Sequence, residues 1–302
     1  MTIAGERRRA SSAVNEALAG YLFVLPAVAV FAIFFAGPLL AAFGLSLTSY
    51  DVIHPPRPVG FANFQAMLAD VRFRTVLANT LVFTVVVIVV NTGLGLVLAI
   101  LLNRRIPRPL RYLLRTAYFF PVMVGLAFVA VIWRFLMSQD TGILNYFLAQ
   151  VGIRGPDWLN SPSWTLWSVL ILDIWKNVGF SMLIFLAALQ NVPPELEEAA
   201  RVDGAGSWPV FRHITIPMIS PAILFIVSIN TIGSLQIFDS ILVLTRGGPG
   251  DASRSLVYYI YETAFGSFKF GYASALGVVL FVLIAIATLV QFRLARSRVH
   301  YG

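Results

Sequence analysis

Residues Glu198 to Pro217 read E-A-A-R-V-D-G-A-G-S-W-P-V-F-R-H-I-T-I-P, a polar island between two long apolar runs. Pro193 and Pro194 stop the run before it. A proline in the first turn followed by Glu195, Glu197 and Glu198 suits the positive end of a helix dipole. Gly204 is a natural stop for that helix, because glycine enters the left-handed conformation without a Cβ penalty. The short helix predicted between them carries the small residues Ala199 and Ala200, so another surface can approach its backbone closely. The island reads as a docking element and not as a catalytic site.

Outward from the island the chain is strongly apolar. Of its 302 residues 58% are hydrophobic and only 12% are charged, against about 25% charged in soluble domains. A membrane-spanning helix needs about 20 mostly apolar residues. Six stretches qualify, at 20–47, 76–102, 113–137, 165–189, 216–244 and 273–294. They are continuously apolar and do not alternate, which excludes barrel strands. The first is too long for the core of a secretory signal and has no small-residue cleavage site after it, so it reads as a retained helix. The expected fold is all-α, a polytopic membrane protein with six transmembrane helices. It divides into an N-terminal segment 1–19, a six-span domain 20–294 with a loop at 190–217, and a tail 295–302.

The net charge of +8 does not point to nucleic acid, because its placement follows the spans. Arg7, Arg8 and Arg9 precede the first span, and Arg104, Arg105, Arg108, Arg111 and Arg115 crowd the second loop. Arg293, Arg296 and Arg298 follow the last span. With six spans these segments share one side, and the positive-inside rule makes it the cytoplasm. Both termini and the 190–217 loop then face the cytoplasm. The outer loops are more aromatic, with Tyr258, Tyr259, Tyr261 and Phe265 after Gly247-Gly248-Pro249. Such residues form interfacial belts or protein contacts, and both readings stay open.

E-A-A at 198–200, D-G-A at 203–205 and I-x-I-P at 214–217 together resemble the cytoplasmic coupling loop of permease subunits in binding-protein-dependent ABC importers. L-T-x-G-G-P at 244–249, Y-x-x-A-F at 261–265 and F-G-Y-A-S-A at 270–275 resemble its carbohydrate-uptake branch, of the maltose-facilitator or glycerol-3-phosphate permease type. Glu197 departs from the family, where an aromatic residue often precedes E-A-A, and Arg246 fills a variable slot. The resemblance implies a type I importer permease fold in the cytoplasmic (inner) membrane of a bacterium or archaeon. It implies that Glu198, Ala199, Ala200, Asp203, Gly204 and Ala205 meet an ATPase subunit. It implies as partners a second homologous permease forming a heterodimer, two ATPase subunits and an extracytoplasmic solute-binding protein, with a sugar, oligosaccharide or related polyol as cargo. Glycerol-3-phosphate or phosphodiester uptake by the same machinery is the alternative within the family.

Ionisable and amide groups inside spans are costly and usually face a cavity or a partner. Asp173, Lys176, Asn177 and Phe180 fall at i, i+3, i+4 and i+7, on one face of the fourth span. Gln236 and Asp239 sit near the outer end of the fifth, with Asn230 deeper. Amides and carboxylates beside an aromatic face suit sugar hydroxyls, and in maltose-type permeases the ligand-lining positions fall on these two spans. The candidate substrate residues are therefore Asp173, Lys176, Asn177, Phe180, Gln236 and Asp239. Asp173 and Lys176 can equally neutralise each other in a purely structural pair, and Asn91 in the second span can hydrogen-bond between helices.

No enzymatic site is expected. The only lysines, Lys176 and Lys269, lie outside any G-x-x-x-x-G-K-[ST] loop, H-E-x-x-H is absent, and no nucleophile–base set is apparent. His54, His213 and His300 are scattered and there is no cysteine, so no metal site is expected. The chain should carry no cofactor of its own, with ATP and Mg bound by the partner ATPases. An ion-coupled secondary transporter is the competing class, but it leaves the 198–217 motif unexplained and lacks visible paired broken-helix repeats.

Overall fold

The computed structural model describes residues 18–104 and 106–296. Arg7, Arg8, Arg9, Arg105, Arg298 and His300 lie outside these residues, as does nearly all of the N-terminal segment and most of the tail. Four straight helices are long and apolar enough to cross a membrane: α1 (Leu18–Ser46), α3 (Val71–Asn103), α7 (Thr165–Gln190) and α13 (Phe270–Ala295). Two bent pairs complete the set of six. One is α4 (Arg108–Met123) with α5 (Leu126–Leu136), bent by 103°, and the other is α9 (Ser207–Met218) with α10 (Ser220–Leu235), bent by 66°. Short helices α2 (Ala62–Ala69), α6 (Ile143–Gln150), α8 (Pro194–Val202), α11 (Asp239–Leu244) and α12 (Leu256–Tyr261) fill the loops. A two-residue strand pair, β1 (Thr48–Ser49) with β2 (Arg57–Pro58), closes the first outer loop.

The third span, expected at 113–137 with a bend at Pro121, and the fifth, expected at 216–244, are thus broken. Pro121 lies in the last turn of α4 and removes an N–H from the ladder. The chain then leaves the helix at Val124, in an extended conformation, and Gly125, at φ −57° and ψ 133°. In the fifth span Pro217 and Pro221 flank the corner at Ile219. A second break follows at Gln236 to Phe238, before α11 starts at Asp239.

The centre of the fold is α3 against α7, with α10 packed on both and α4 packed on α7. Small residues set the spacing, as is common between membrane helices. A Cβ on Gly95 would stand 2.6 Å from the Ser181 Cβ, and one on Gly179 would collide with the Tyr118 backbone carbonyl. The α4 backbone therefore lies against α7 without an intervening side chain, and the α3 backbone at Gly95 meets the Ser181 Cβ. Asn91 is wholly buried in α3, and neither of its amide atoms has a partner among the described residues. The expected hydrogen bond between helices is not formed. Many large apolar side chains face outward, Phe23 at 88% exposure among them, as a bilayer-facing surface requires.

Candidate functional site

Breaks in spanning helices are tolerated where the irregular backbone lines a cavity or is buried in protein. The α4–α5 and α10–α11 breaks border one cavity of about 360 Å³. Val122 and Leu126 reach it from the α4–α5 break, and Gln236, Ile237, Phe238 and Asp239 from the α10–α11 break. The remaining polar wall comes from Asp173 and Asn177 of α7 and from Asn230 and Ser234 of α10. Phe180 and Phe238 supply aromatic faces.

Five of the six residues singled out from the sequence therefore share this cavity: Asp173, Asn177, Phe180, Gln236 and Asp239. The Asn177 side-chain amide donates to Asp173 Oδ1 at 3.0 Å, holding the carboxyl on the wall. Deeper, Asn230 Nδ2 donates to Thr92 Oγ1 of α3 at 3.5 Å. Gln236 and Asp239 are exposed to the open side. Lys176 is the exception: it is buried and does not line the cavity. Its Nζ donates to the Val122 carbonyl oxygen at 3.4 Å, at the C-terminal turn of α4, where unpaired carbonyls and the negative dipole end favour a cation. Lysine thus stands behind the wall and holds the broken span. No ion pair joins it to Asp173 among the described residues.

Asn230, Ser234 and Phe238 add polar and aromatic lining beyond the six candidates. Asn230, Ser234 and Ile237 follow at i, i+4 and i+7 along the fifth span, the same helical spacing that marked the α7 face. Phe238 had no such signal, because it belongs to the break.

The α10–α11 break is held from outside. Ser255 Oγ donates to the Ile237 carbonyl at 2.7 Å, and the Leu256 N–H donates to Thr80 Oγ1 of α3 at 2.9 Å. The loop carrying Ser255 is clamped by Arg254, only 6% exposed. Arg254 is paired through Nε with Glu262 at 2.7 Å, and also with Asp251. Arg72 at the start of α3 reaches the same Asp251 at 3.0 Å. Nearby, Tyr259 and Tyr272 donate to Asp70 Oδ2 at 2.7 and 3.1 Å. Burial alone would raise the Asp70 carboxyl, but these bonds and the Arg72 N–H hold it below its ordinary value. Burial and the same carboxylate push the Tyr259 hydroxyl up to about 12. Tyr258 and Tyr259 are therefore packed inside, whereas Tyr261 and Phe265 stay at the surface.

At the opposite end, Pro193 caps α8 and Pro194 opens it, with Glu195 and Glu197 in its first turn. Gly204 adopts φ +86°. Its N–H donates to the Arg201 carbonyl at 3.1 Å and the Ala205 N–H to the Ala200 carbonyl at 2.9 Å, the paired bonds of a Schellman stop. Glu197 turns inward, accepting from Arg201 at 3.0 Å and from Thr215 Oγ1 at 3.2 Å. It ties α8 to α9, which accounts for a carboxylate at this position. Glu198, Ala199, Asp203 and Gly204 are exposed, with Ala200 and Ala205 half-buried. Beside them Val202 is 87% exposed and Trp208 66%.

The model of the family described as "binding-protein-dependent transport system inner membrane component" matches residues 91–300. The probable ABC transporter permease protein YesP of Bacillus subtilis (strain 168) is 34% identical, over 97% of this chain and 96% of its own length. A lactose transport system permease protein of Rhizobium radiobacter is 36% identical, covering 92% and 94% respectively. Among solved structures, a chain of a bacterial ABC transporter involved in import of the acidic polysaccharide alginate superposes with a TM-score of 0.83 at 25% identity, over 96% of this chain and 99% of that one. Motif, helix order and kinship agree: this chain belongs to the inner-membrane permeases of binding-protein-dependent ABC importers, transmembrane subunits that leave ATP hydrolysis to separate subunits.

Proposed function

We propose that this chain forms half of the translocation path for a carbohydrate, and that the cavity between α7 and the α10–α11 break is its contact with the cargo. The observation carrying this reading is that carboxylates, amides and aromatic faces converge on one cavity bordered by two helix breaks. Hydroxyl groups of a sugar donate to the carboxylates of Asp173 and Asp239 and accept from the amides of Asn177, Asn230 and Gln236. Phe180 and Phe238 offer apolar faces to the C–H side of a ring. Relatives named for lactose and for arabino-oligosaccharide transport support the substrate class.

The remaining parts follow from the family. A second permease completes the pore, a solute-binding protein delivers cargo outside, and two ATPase subunits carrying ATP and Mg dock on α8. ATP-driven closure of those subunits moves α8 and α9, and the bundle rocks to open the cavity first outward and then inward. Because α9 continues into α10 through the corner at Ile219, a push on the coupling helix reaches the cavity wall through one connected segment.

Alanine at Asn177, Gln236 or Asp239 leaves ligand hydroxyls unpaired, at about 1–3 kcal/mol each. Uptake by proteoliposomes holding the complete complex is then expected to fall roughly tenfold to a hundredfold per change. Wild-type uptake in all three variants would remove the cavity from the path.

Orientation is testable because the chain has no cysteine. Cysteine at exposed Ser207, beside α8, is expected to resist an impermeant thiol reagent in intact cells or spheroplasts. Cysteine at exposed Ser163 or Ser267, at the opposite end, is expected to react. The reverse pattern would place the α8 loop outside.

A further inference from the structure

We infer that this cavity sorts sugars by charge, accepting neutral and amine-bearing sugars and rejecting those that carry a carboxylate, sulfonate or phosphate. The inference rests on the carbohydrate reading above and adds to it the class of sugar. Its basis is the complete polar inventory of the wall. Two carboxyl groups, Asp173 and Asp239, and three amides, Asn177, Asn230 and Gln236, line the cavity together with Ser234, and among the described residues no lysine, arginine or histidine does.

The one cation nearby is withdrawn from the wall. Lys176 lies one helical turn from Asp173, yet its ammonium is directed to the Val122 backbone carbonyl at 3.4 Å. Val122, its acceptor, lines the cavity, whereas Lys176 does not. Arg134 and Arg246 line a separate outer cleft with Asp140 and Asp157, not this cavity. An anionic sugar would therefore meet exposed Asp239 with no counter-charge among the described residues of the wall. Removing a charged group from water without a partner is unfavourable, and like charges brought together discriminate strongly against the wrong ligand. A hydroxyl in the same place donates a charge-assisted hydrogen bond, and an ammonium adds an ion pair. Fold likeness to an importer of an acidic polysaccharide does not set the charge at these positions, because side chains and not helix order decide it.

The test uses the complete complex, both permeases with their ATPases, in lipid nanodiscs without the solute-binding protein. Direct binding is measured for a panel of disaccharides in several linkages, each as the neutral sugar, its 2-amino counterpart and its uronic acid. The expected result is that the uronic acid of a bound sugar binds at least about tenfold more weakly than the neutral form, while the amino sugar binds as well or better. Asp239→Asn is expected to narrow that gap, and Asp239→Lys to reverse it. If Asp239→Lys fails to assemble, the wild-type ranking and Asp239→Asn still decide. Uronic acids binding as tightly as neutral sugars to the wild-type complex would overturn the charge inference and leave the carbohydrate reading standing. Failure of every sugar in the panel to bind would overturn the carbohydrate reading itself.

Discussion

Gly179→Ala is expected to prevent assembly of a stable permease, because the added methyl group meets backbone and not a movable side chain. A Cβ at Gly179 would collide with the Tyr118 carbonyl oxygen and lie 3.2 Å from the Phe119 Cα. All of these are backbone atoms of α4, so no side chain can rotate away and the helix itself must move. Overpacking usually costs about 1–3 kcal/mol, occasionally more, and a backbone obstacle belongs at the upper end. The displacement would also pull α4 from Lys176, which holds the Val122 carbonyl one helical turn away. Val122 and Leu126 of the cavity wall would shift with it. Gly93 and Gly277 provide controls on other helices, because a Cβ at either meets nothing within 4 Å. Alanine there is expected to be neutral or stabilising by about 0.5–1 kcal/mol, since glycine is a poor helix former. The thermal midpoint of the detergent-solubilised complex and the yield of copurified subunits measure the contrast. A Gly179→Ala complex as stable as the Gly93→Ala control would show that α4 and α7 do not cross at this distance.

Which features were readable from the sequence depended on how local their causes are. The straight spans α3, α7 and α13 announce themselves as apolar runs, since length and composition alone determine whether a helix can cross a bilayer. The stop at Gly204 was equally readable, because a positive φ is a property of one residue. The breaks were harder. Pro121 marked a bend in the third span, but the chain leaves the helix three residues later, at Val124. The break at Gln236 to Phe238 contains neither proline nor glycine. Its visible support comes from a distant loop, through the Ser255 bond to the Ile237 carbonyl, and pattern reading along one segment cannot see it.

Lys176 shows how the missed break propagates into the site. Its i, i+3 relation to Asp173 made a pair or a shared binding face natural. A competing acceptor exists only because α4 ends inside the membrane and leaves a carbonyl for the ammonium. A proline bend that leaves the span one helix offers no such acceptor, whereas the exit at Val124 does. The other five candidates were readable because helical spacing and the rarity of polar groups within a span both act locally.

Gly204→Val is expected to uncouple the importer while leaving its outer half intact. At φ +86° glycine is nearly free of strain, whereas a β-branched residue is strongly disfavoured. The left-handed conformation costs roughly 1–2 kcal/mol for ordinary L-residues. No neighbour lies within 4 Å of a Cβ there, so the effect is conformational and not a clash. Losing the stop frees the paired bonds from Gly204 to Arg201 and from Ala205 to Ala200, and α8 then leaves α9 along a different path. Glu198→Lys tests the docking surface separately, by reversing the charge of an exposed side chain without touching the turn. In reconstituted complexes both variants are expected to lose most of the ATP hydrolysis stimulated by the loaded solute-binding protein, on the order of tenfold. Capture of that protein at the outer face should stay within about twofold of wild type, because the changes lie at the opposite end of the molecule. Gly204→Asn is the discriminating rescue: asparagine tolerates the left-handed conformation better than other side chains, so it should restore most of the stimulation that valine removes. Equal loss with asparagine and valine would make the absence of a side chain, and not the backbone turn, the requirement at residue 204. Full stimulation with valine would remove the turn from the coupling path.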